Sequence, residues 1–425
     1  MAINLSDITF TDEGDILPSI DGEPTYAPEP ISLFGATVNT LAGNDILNGS
    51  NSNHLTYNSG FWNYLGTLNT NSGNDAIRGI NENPYNTYSS DNSGIVNRGN
   101  NSDPSEIGVA TINTGDGDDR IEGIGGSGSG IKNVIGIIDT GDGNDWISGS
   151  GYRYGIITEV TTIDTGNGND TITGNSGGTG IDSRANTTIN TGDGNDIITG
   201  YSGSDGRGIF LLSSVIDTGQ GNDIIEGTSQ GGSGLLFGVD FYIEGRVDTG
   251  EGDDIITGTG SDYGIHNLTK VNTGNGADSI ISQGTLLNYG EVFLGDGNDS
   301  ITANTVNSDD IITSAGIINN QGVINTGNGA DSIIVDGGFN GTGSVFLGEG
   351  EDYIKGFGSG NFNGGNGKDT LELTSGSYTV GISGTAVNFT KGNQLMNTSD
   401  FEELKAGGTT YNFSSLTNGQ TIFVA

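Results

Sequence analysis

The chain has 425 residues, 79 of them Gly, with 6 Pro, 2 His and no Cys, and its 13 basic against 53 acidic residues give a formal net charge of −40. The absence of Cys excludes disulfides, thiolate metal sites and thiol catalysis, and Gly without an every-third-residue period excludes collagen. Such acidity points away from nucleic acid and anionic membrane surfaces and toward cations, and no apolar run is long enough to span a bilayer.

Residues 1–38 read as an N-terminal extension or cap. They hold four of the six prolines and no copy of the repeat that follows, and Pro donates nothing to a strand ladder. The opening stretch MAINLSDITFTDEGD lacks the basic-then-apolar order of a secretory signal, so an exported chain needs another route. Residues 39–372 carry a repeated unit, sought first because the composition is so biased. It is aligned on thirteen aspartates: Asp45, Asp75, Asp119, Asp145, Asp170, Asp196, Asp223, Asp254, Asp278, Asp299, Asp331, Asp352 and Asp369. Their spacing runs from 17 to 44 residues and centres on about 26. The longer gaps hold the polar inserts Asn81–Asn101 and Thr302–Ala315, which read as surface loops.

Gly stands two residues before the Asp in every copy, and four before it in eleven. Such a pair turns the backbone tightly and brings its carbonyls close to a ligand. Two residues after the Asp comes Ile or Leu, as in Ile121, Ile147, Ile172 and Ile198. A second aliphatic precedes the turn (Ile112, Ile138, Ile163, Ile189, Ile216, Val247, Val271, Ile324) and a third lies midway (Ile137, Ile156, Ile181, Ile209, Ile265, Ile317). An aliphatic flanked by polar residues is a short strand with one face inward. No single unit can bury that face alone, so successive units must stack. The expected fold is an all-β parallel solenoid of about 13 turns, ~4.8 Å apart, with little helix because Gly, Asn, Thr and Ser dominate. Residues 373–425 lose the Gly-Asp pattern and alternate like ordinary strands (TLELTSG, SYTVGISG, TAVNFTKG), with a helical turn over TSDFEELKAGG. They read as a small C-terminal β-cap on an exposed edge.

Stacking puts the carboxylates in one column. Two unit charges ~4.8 Å apart repel by roughly 0.9 kcal/mol in water and ~3.5 kcal/mol at an effective dielectric of 20. Over a dozen gaps this rivals the ~5–15 kcal/mol net stability of a domain. Either the carboxylates protonate or cations lie between turns, and at neutral pH the cation is the better reading. Carboxylates and carbonyls in a flexible, Gly-rich site are hard oxygen donors that suit Ca²⁺ better than Mg²⁺, and His54 and His266 lie outside the unit, which argues against zinc and copper.

The unit resembles the RTX, or haemolysin-type, calcium-binding nonapeptide Gly-Gly-x-Gly-x-Asp-x-aliphatic-x. Gly141, Gly143 and Asp145 match it, as do Gly192, Gly194 and Asp196, and Gly364 to Glu372 match throughout. The resemblance implies that two neighbouring loops clamp one Ca²⁺ through loop carbonyls and Asp. The metal ligands expected on that basis are Asp119, Asp145, Asp170, Asp196, Asp223, Asp254, Asp278, Asp299, Asp331, Asp352 and Asp369. With them go Gly117, Gly143, Gly168, Gly194, Gly221, Gly252, Gly276, Gly297, Gly329 and Gly350. About seven to eleven ions are expected. The first Gly is Thr in ten copies and Leu in two, and one loop per long turn gives a single row of sites. The copies at Asp45 and Asp75 lack the second Gly, so they are left out of the ligand set, and Lys368 weakens the site at Asp369. The ending, with DFEELKAGG, resembles the region that follows RTX arrays in proteins exported by type I secretion.

The Thr column reads as a stacked hydroxyl row rather than an ice-binding face, which would want two regular outward columns. Trp62, Trp146, Phe61, Tyr64, Tyr152 and Tyr154 are candidates for stacking on sugars. No Ser-His-Asp order, phosphate loop, metalloprotease or nucleotide motif occurs, so no enzymatic activity is expected. The reading is a secreted, extracellular structural protein of a cell-surface layer, sheath or filament. It folds on Ca²⁺ binding and self-associates head to tail, without nucleic acid or membrane insertion. The alternative is an adhesin or carbohydrate-binding module that uses loop aromatics on a cell-surface polysaccharide.

Overall fold

The computed structural model describes residues 3–17, 19, 20, 23, 24, 30–51, 59–82, 92–100, 108–238, 245–308, 311–314 and 316–425. The chain divides into two compact units, residues 1–231 and 232–425. Among the described residues helix is limited to two 3₁₀ turns, Leu5–Asp7 and Phe413–Ser415, and no helix is long and apolar enough to cross a membrane.

The first unit is a parallel β-solenoid built of three strands per rung. The strand after each Asp gives the sheet Ile46–Asn51, Ala76–Asn81, Arg120–Gly125, Trp146–Gly151, Thr171–Ser176, Ile197–Ser202 and Ile224–Ser229, every neighbour parallel. The register holds the Asp+2 aliphatics opposite one another: Leu47, Ile77, Ile121, Ile147, Ile172, Ile198 and Ile225 form one buried column. A slip of one residue would turn that column to solvent, which is what pins the register. The pre-turn strands carry Leu68, Ile112, Ile138, Ile163, Ile189 and Ile216, and the third sheet carries Phe61, Ile95, Ile131, Ile156, Ile181 and Ile209, all with no exposed surface.

The second unit repeats the plan with rungs that shorten. Its post-Asp sheet runs Ile255–Thr259, Ser279–Gln283, Ser300–Asn304, Ser332–Val335, Tyr353–Lys355 and Thr370–Leu373. The third sheet ends at Gly338–Asn340, because the 17-residue step from Asp352 to Asp369 accommodates only two strands. Beyond Leu373 the chain turns antiparallel: Gly376–Ser383 pairs with Ala386–Lys391 and Thr421–Val424, while Gln394–Ser399 returns parallel to Gly360–Gly367. The segment expected to be a helical turn is instead the strand Glu403–Ala406, parallel to Thr370–Leu373 and covered by antiparallel Thr409–Asn412. Leu404 opposite Leu371 explains the difference: an apolar partner in register rewards the strand more than local propensity rewards the helix.

Several residues sit differently from their sequence reading. In the rung after Asp119 the midway core residue is Ile131; Ile137 is 36% exposed, one position before the buried Ile138. Likewise Ile318, not Ile317, is fully buried. The Asn81–Asn101 insert contains the strand Ile95–Arg98, and residues 83–91 and 101 of it lie outside the described residues. Residues 1–38 are not free of the repeat: Ile16–Leu17 pairs with Ile46–Leu47, and Thr37–Asn39 with Thr67–Asn69. Buried Asn side chains add two ladders that the sequence did not announce, Asn63→Asn97→Asn133 in the first unit and Asn267→Asn288→Asn320 in the second, with amide bonds of 2.8 or 2.9 Å.

Candidate metal centre

Each unit stacks its Asp residues in one inward column, and none of the thirteen is more than 2% exposed. The turns that place them depend on left-handed backbone. Gly141 and Gly143 have φ of +84° and +155°, and a Cβ on Gly143 would lie 1.8 Å from the Gly117 carbonyl oxygen. The ten glycines expected as ligands all fall between +131° and +157°. Leu41 (φ +72°) and Asn71 (φ +71°) occupy the same conformation without being Gly. The two copies left out for lacking that Gly therefore join the column at a cost in backbone strain.

Within the column the backbone amide of each Asp donates to Oδ1 of the Asp one rung on. The bonds run Asp45→Asp75, Asp75→Asp119, Asp119→Asp145, Asp145→Asp170, Asp170→Asp196 and Asp196→Asp223, at 2.7–2.8 Å. The second unit continues Asp254→Asp278, Asp278→Asp299, Asp299→Asp331, Asp331→Asp352 and Asp352→Asp369, at 2.8–3.0 Å. The expectation of bare charges repelling one another thus needs correction. One oxygen of each carboxylate is already held by an amide, a charge-assisted bond that offsets part of the cost of burial. The column also has ends that the sequence pattern did not reveal. The Asp15 amide donates to Asp45 Oδ1 at 2.6 Å, and the Asp369 amide donates to Glu402 Oε2 at 2.8 Å. The signals available were Asp-x-Leu at Asp15–Leu17 and Glu-x-Leu at Glu402–Leu404, each without Gly two residues before the acid.

The other oxygen is the informative one. Oδ2 of Asp75, Asp119, Asp145, Asp170 and Asp196, and of Asp278, Asp299, Asp331, Asp352 and Asp369, is buried without a geometric hydrogen-bond partner. The Thr five residues earlier lies beside it, and its single hydroxyl proton serves two acceptors. It lowers the carboxyl pKa of its own rung, yet it also donates along the stack, as in Thr70→Thr114 carbonyl at 3.1 Å and Thr326→Leu347 carbonyl at 2.8 Å. In the first copy the Thr40 hydroxyl bonds Asp45 Oδ2 directly. Asp299, Asp352 and Asp369 have Leu294, Leu347 and Gly364 in the Thr position, and no hydroxyl relieves them. The Thr residues of the column are buried. They form the hydroxyl row and present nothing to an external lattice.

Burial sets the electrostatics. It pushes Asp119, Asp145, Asp196, Asp299 and Asp352 up to about 7 and Asp170 and Asp223 up to about 6, against the pull of the amides. Neighbouring carboxylates add a smaller upward push at Asp145 and Asp299. Asp45, Asp75, Asp278, Asp331 and Asp369 are raised for the same leading reason, desolvation.

The carbonyls complete the donor set. Among the described residues the carbonyl oxygens of Gly117, Gly143, Gly168 and Gly194 accept no hydrogen bond. Each lies close against the equivalent Gly one rung on, where a Cβ would sit only 1.6–1.8 Å from it. Buried carboxylate oxygens and unclaimed carbonyls suit a hard cation. No group of three or more His, Cys, Asp or Glu side chains converges among the described residues. A bound ion would therefore take most of its ligands from the main chain. Outside the turn, exposed residues tie the rungs differently: the Asn144 amide donates to Asp118 Oδ1 at 2.9 Å and the Asn167 side chain to Asp142 Oδ1 at 2.7 Å.

Of the aromatic residues, Phe61 is core with no exposed surface, Trp62 stacks on Phe34 at 6.5 Å, and Trp146 lies 3.8 Å beneath the Arg120 guanidinium. Tyr152 alone among the aromatics expected to stack on sugars is largely open, 70% exposed. His54 lies outside the described residues, and His266 packs against Tyr263 at 5.0 Å.

No protein-family profile matches the chain, and no curated protein does. Among solved structures it is similar to a hyperactive, Ca²⁺-dependent, β-helical antifreeze protein from an Antarctic bacterium. The identity is 20%, the match covers 81% of this chain and 84% of that one, and the TM-score is 0.41.

Proposed function

We propose that the protein is a secreted structural β-solenoid, rigidified by a row of calcium ions and resident in a cell-surface layer, sheath or extracellular matrix. One observation carries this reading: within each unit's in-register parallel stack, Oδ2 of Asp75, Asp119, Asp145, Asp170 and Asp196, and of Asp278, Asp299, Asp331, Asp352 and Asp369, is buried without a hydrogen-bond partner. Cations supply what the column lacks. Where calcium is scarce the acidic chain stays loose and export-competent; outside, where calcium is millimolar, binding and folding occur together. The RTX-like loop Gly364–Leu371 and the DFEELKAGG ending support export by a type I route. The reading assigns no catalysis. Head-to-tail self-association remains part of the proposal: Thr409–Asn412 pairs only with Glu403–Ala406 and is the outer strand of its sheet, and the third sheet ends at Gly338–Asn340. Immunogold electron microscopy of producing cells tests the assignment. Label is expected on the outer envelope and in the medium, and is expected to leave the envelope on washing with EGTA. Label confined to the cytoplasm would overturn it.

A second reading, glycan binding, rests on the groove of about 510 Å³ lined by Tyr152, Arg153, Tyr154, Gly177, Gly178 and Thr179. The open Tyr152 ring flanks Gly177, where a Cβ would lie 3.7 Å from Cδ2, so a sugar ring can stack there beside the exposed Arg153. Binding to neutral glycans on an array that disappears in Tyr152→Ala supports this reading. An array without binding by the calcium-loaded protein removes it.

A further inference from the structure

The C-terminal end of the second unit departs from the repeat in a way that marks a distinct cation position. In the last loop Gly364 stands where ten rungs have Thr and two have Leu, so neither a hydroxyl nor any side chain from that position lies beside Asp369. Asp369 is fully buried and its Oδ2 has no partner. The space left by the missing side chain is where two oxygens converge. A Cβ on Gly364 would meet the Asp400 carbonyl oxygen at 1.9 Å and Asp369 Oδ2 at 2.7 Å. Asp400 occupies the place of the turn glycine, two residues before the acid, with φ +56°. Glu402 takes the place of the next Asp: its Oε2 accepts the Asp369 amide, and Leu404 pairs with Leu371 as the Asp+2 aliphatic does elsewhere. The nearby lysine does not neutralise this group. Lys368 is held by Glu403 at 2.7 Å. The Asp400 carboxylate accepts from Asn363 at 2.6 Å and stays with the outer loop.

We propose that the last cation position is closed not by another nonapeptide loop but by Asp400–Glu402, with Asp369 Oδ2, the Asp400 carbonyl and the Glu402 carboxylate as oxygen donors to a divalent cation of calcium's class. Binding there docks the C-terminal β-cap onto the last rung. The inference rests on the calcium reading above and adds to it a site and a consequence: the cap is the calcium-gated part of the second unit. A hard cation fits because every converging donor is oxygen and one is a main-chain carbonyl.

The test uses the full chain and calcium alone. Calorimetric titration counts ions per chain, and trypsin cleavage after Lys391 and Lys405 reads cap docking. Glu402→Ala is expected to bind one ion fewer and to be cleaved in the cap about tenfold faster in calcium, through local opening. Glu402→Gln keeps an acceptor for the Asp369 amide but not the charge. It is expected to lose the same ion while remaining folded by circular dichroism, which separates cation binding from packing. Glu403→Ala, which removes the Lys368 pair and a Thr370 hydroxyl bond but none of the proposed donors, is expected to keep the full count. If wild type binds calcium and both Glu402 variants match it in ion count and cap protection, this inference falls and the calcium reading stands. If wild type binds no calcium, both fall.

Discussion

Removing calcium at pH 8 is expected to abolish most of the β signal in circular dichroism, and returning it in millimolar excess to restore that signal. The physical reason is the number of sites acting on each unit's cooperative stack. Each site at a hundredfold excess over its dissociation constant adds about 2.7 kcal/mol, so a handful together match the ~5–15 kcal/mol net stability of a whole domain. The loss is concentrated where no hydroxyl assists the carboxylate. Asp299, Asp352 and Asp369 have Leu294, Leu347 and Gly364 in the Thr position, so the second unit is expected to open first. Proteolytic fragments after partial chelation identify which unit opens, and a calcium-stripped protein with an unchanged spectrum at pH 8 would defeat the mechanism.

Opposite pH dependences with and without calcium are the second expected result. Burial holds the folded carboxyls of Asp119, Asp145, Asp196, Asp299 and Asp352 near 7, above the ordinary value of 3.8 that they regain on unfolding. Between about pH 4 and 7 the folded protein therefore binds more protons than the unfolded chain. Stability that these groups lend below pH 4 is lost as pH rises through the folded pKa values. Calcium-stripped protein should melt at a higher temperature at pH 5 than at pH 8. With calcium the sign reverses, because ligand carboxylates must be ionised and protons compete with the metal. Asp170→Asn isolates one member of the column. Asn keeps an oxygen for the Asp145 amide, which now donates to Asp170 Oδ1 at 2.8 Å, and it removes the charge. The variant should be more stable than wild type without calcium at pH 8, and less stable with it. Scanning calorimetry at pH 5 and 8, in calcium and after stripping, gives the four melting temperatures. Parallel pH profiles in the two conditions would sink the prediction.

The repeat made the fold legible because a solenoid restates itself every rung. Ile172 tells little alone, but the same Asp-x-aliphatic spacing thirteen times identifies the inward column, and Gly at −4 and −2 identifies the turn. The C-terminal segment shows the limit of that method. TSDFEELKAGG has local helical character, yet Leu404 meets Leu371 across a strand pair, a contact between residues 33 positions apart in the sequence.

Composition and spacing, then, determined the all-β class, the period, the inward aliphatics and the identity of the acidic column. Tertiary structure decided how that column is satisfied. Each Asp Oδ1 takes its proton donor from a different rung, 17 to 44 residues away, and the Thr hydroxyls divide between their own rung and the next. It also decided where the column ends, at Asp15 and Glu402, residues whose local sequence lacks the turn glycine. The reason is physical. Side-chain periodicity is a property of one strand and is written locally. Burial, amide-to-carboxylate pairing and the oxygens left over exist only between stacked rungs, so they appear only once the stack is formed.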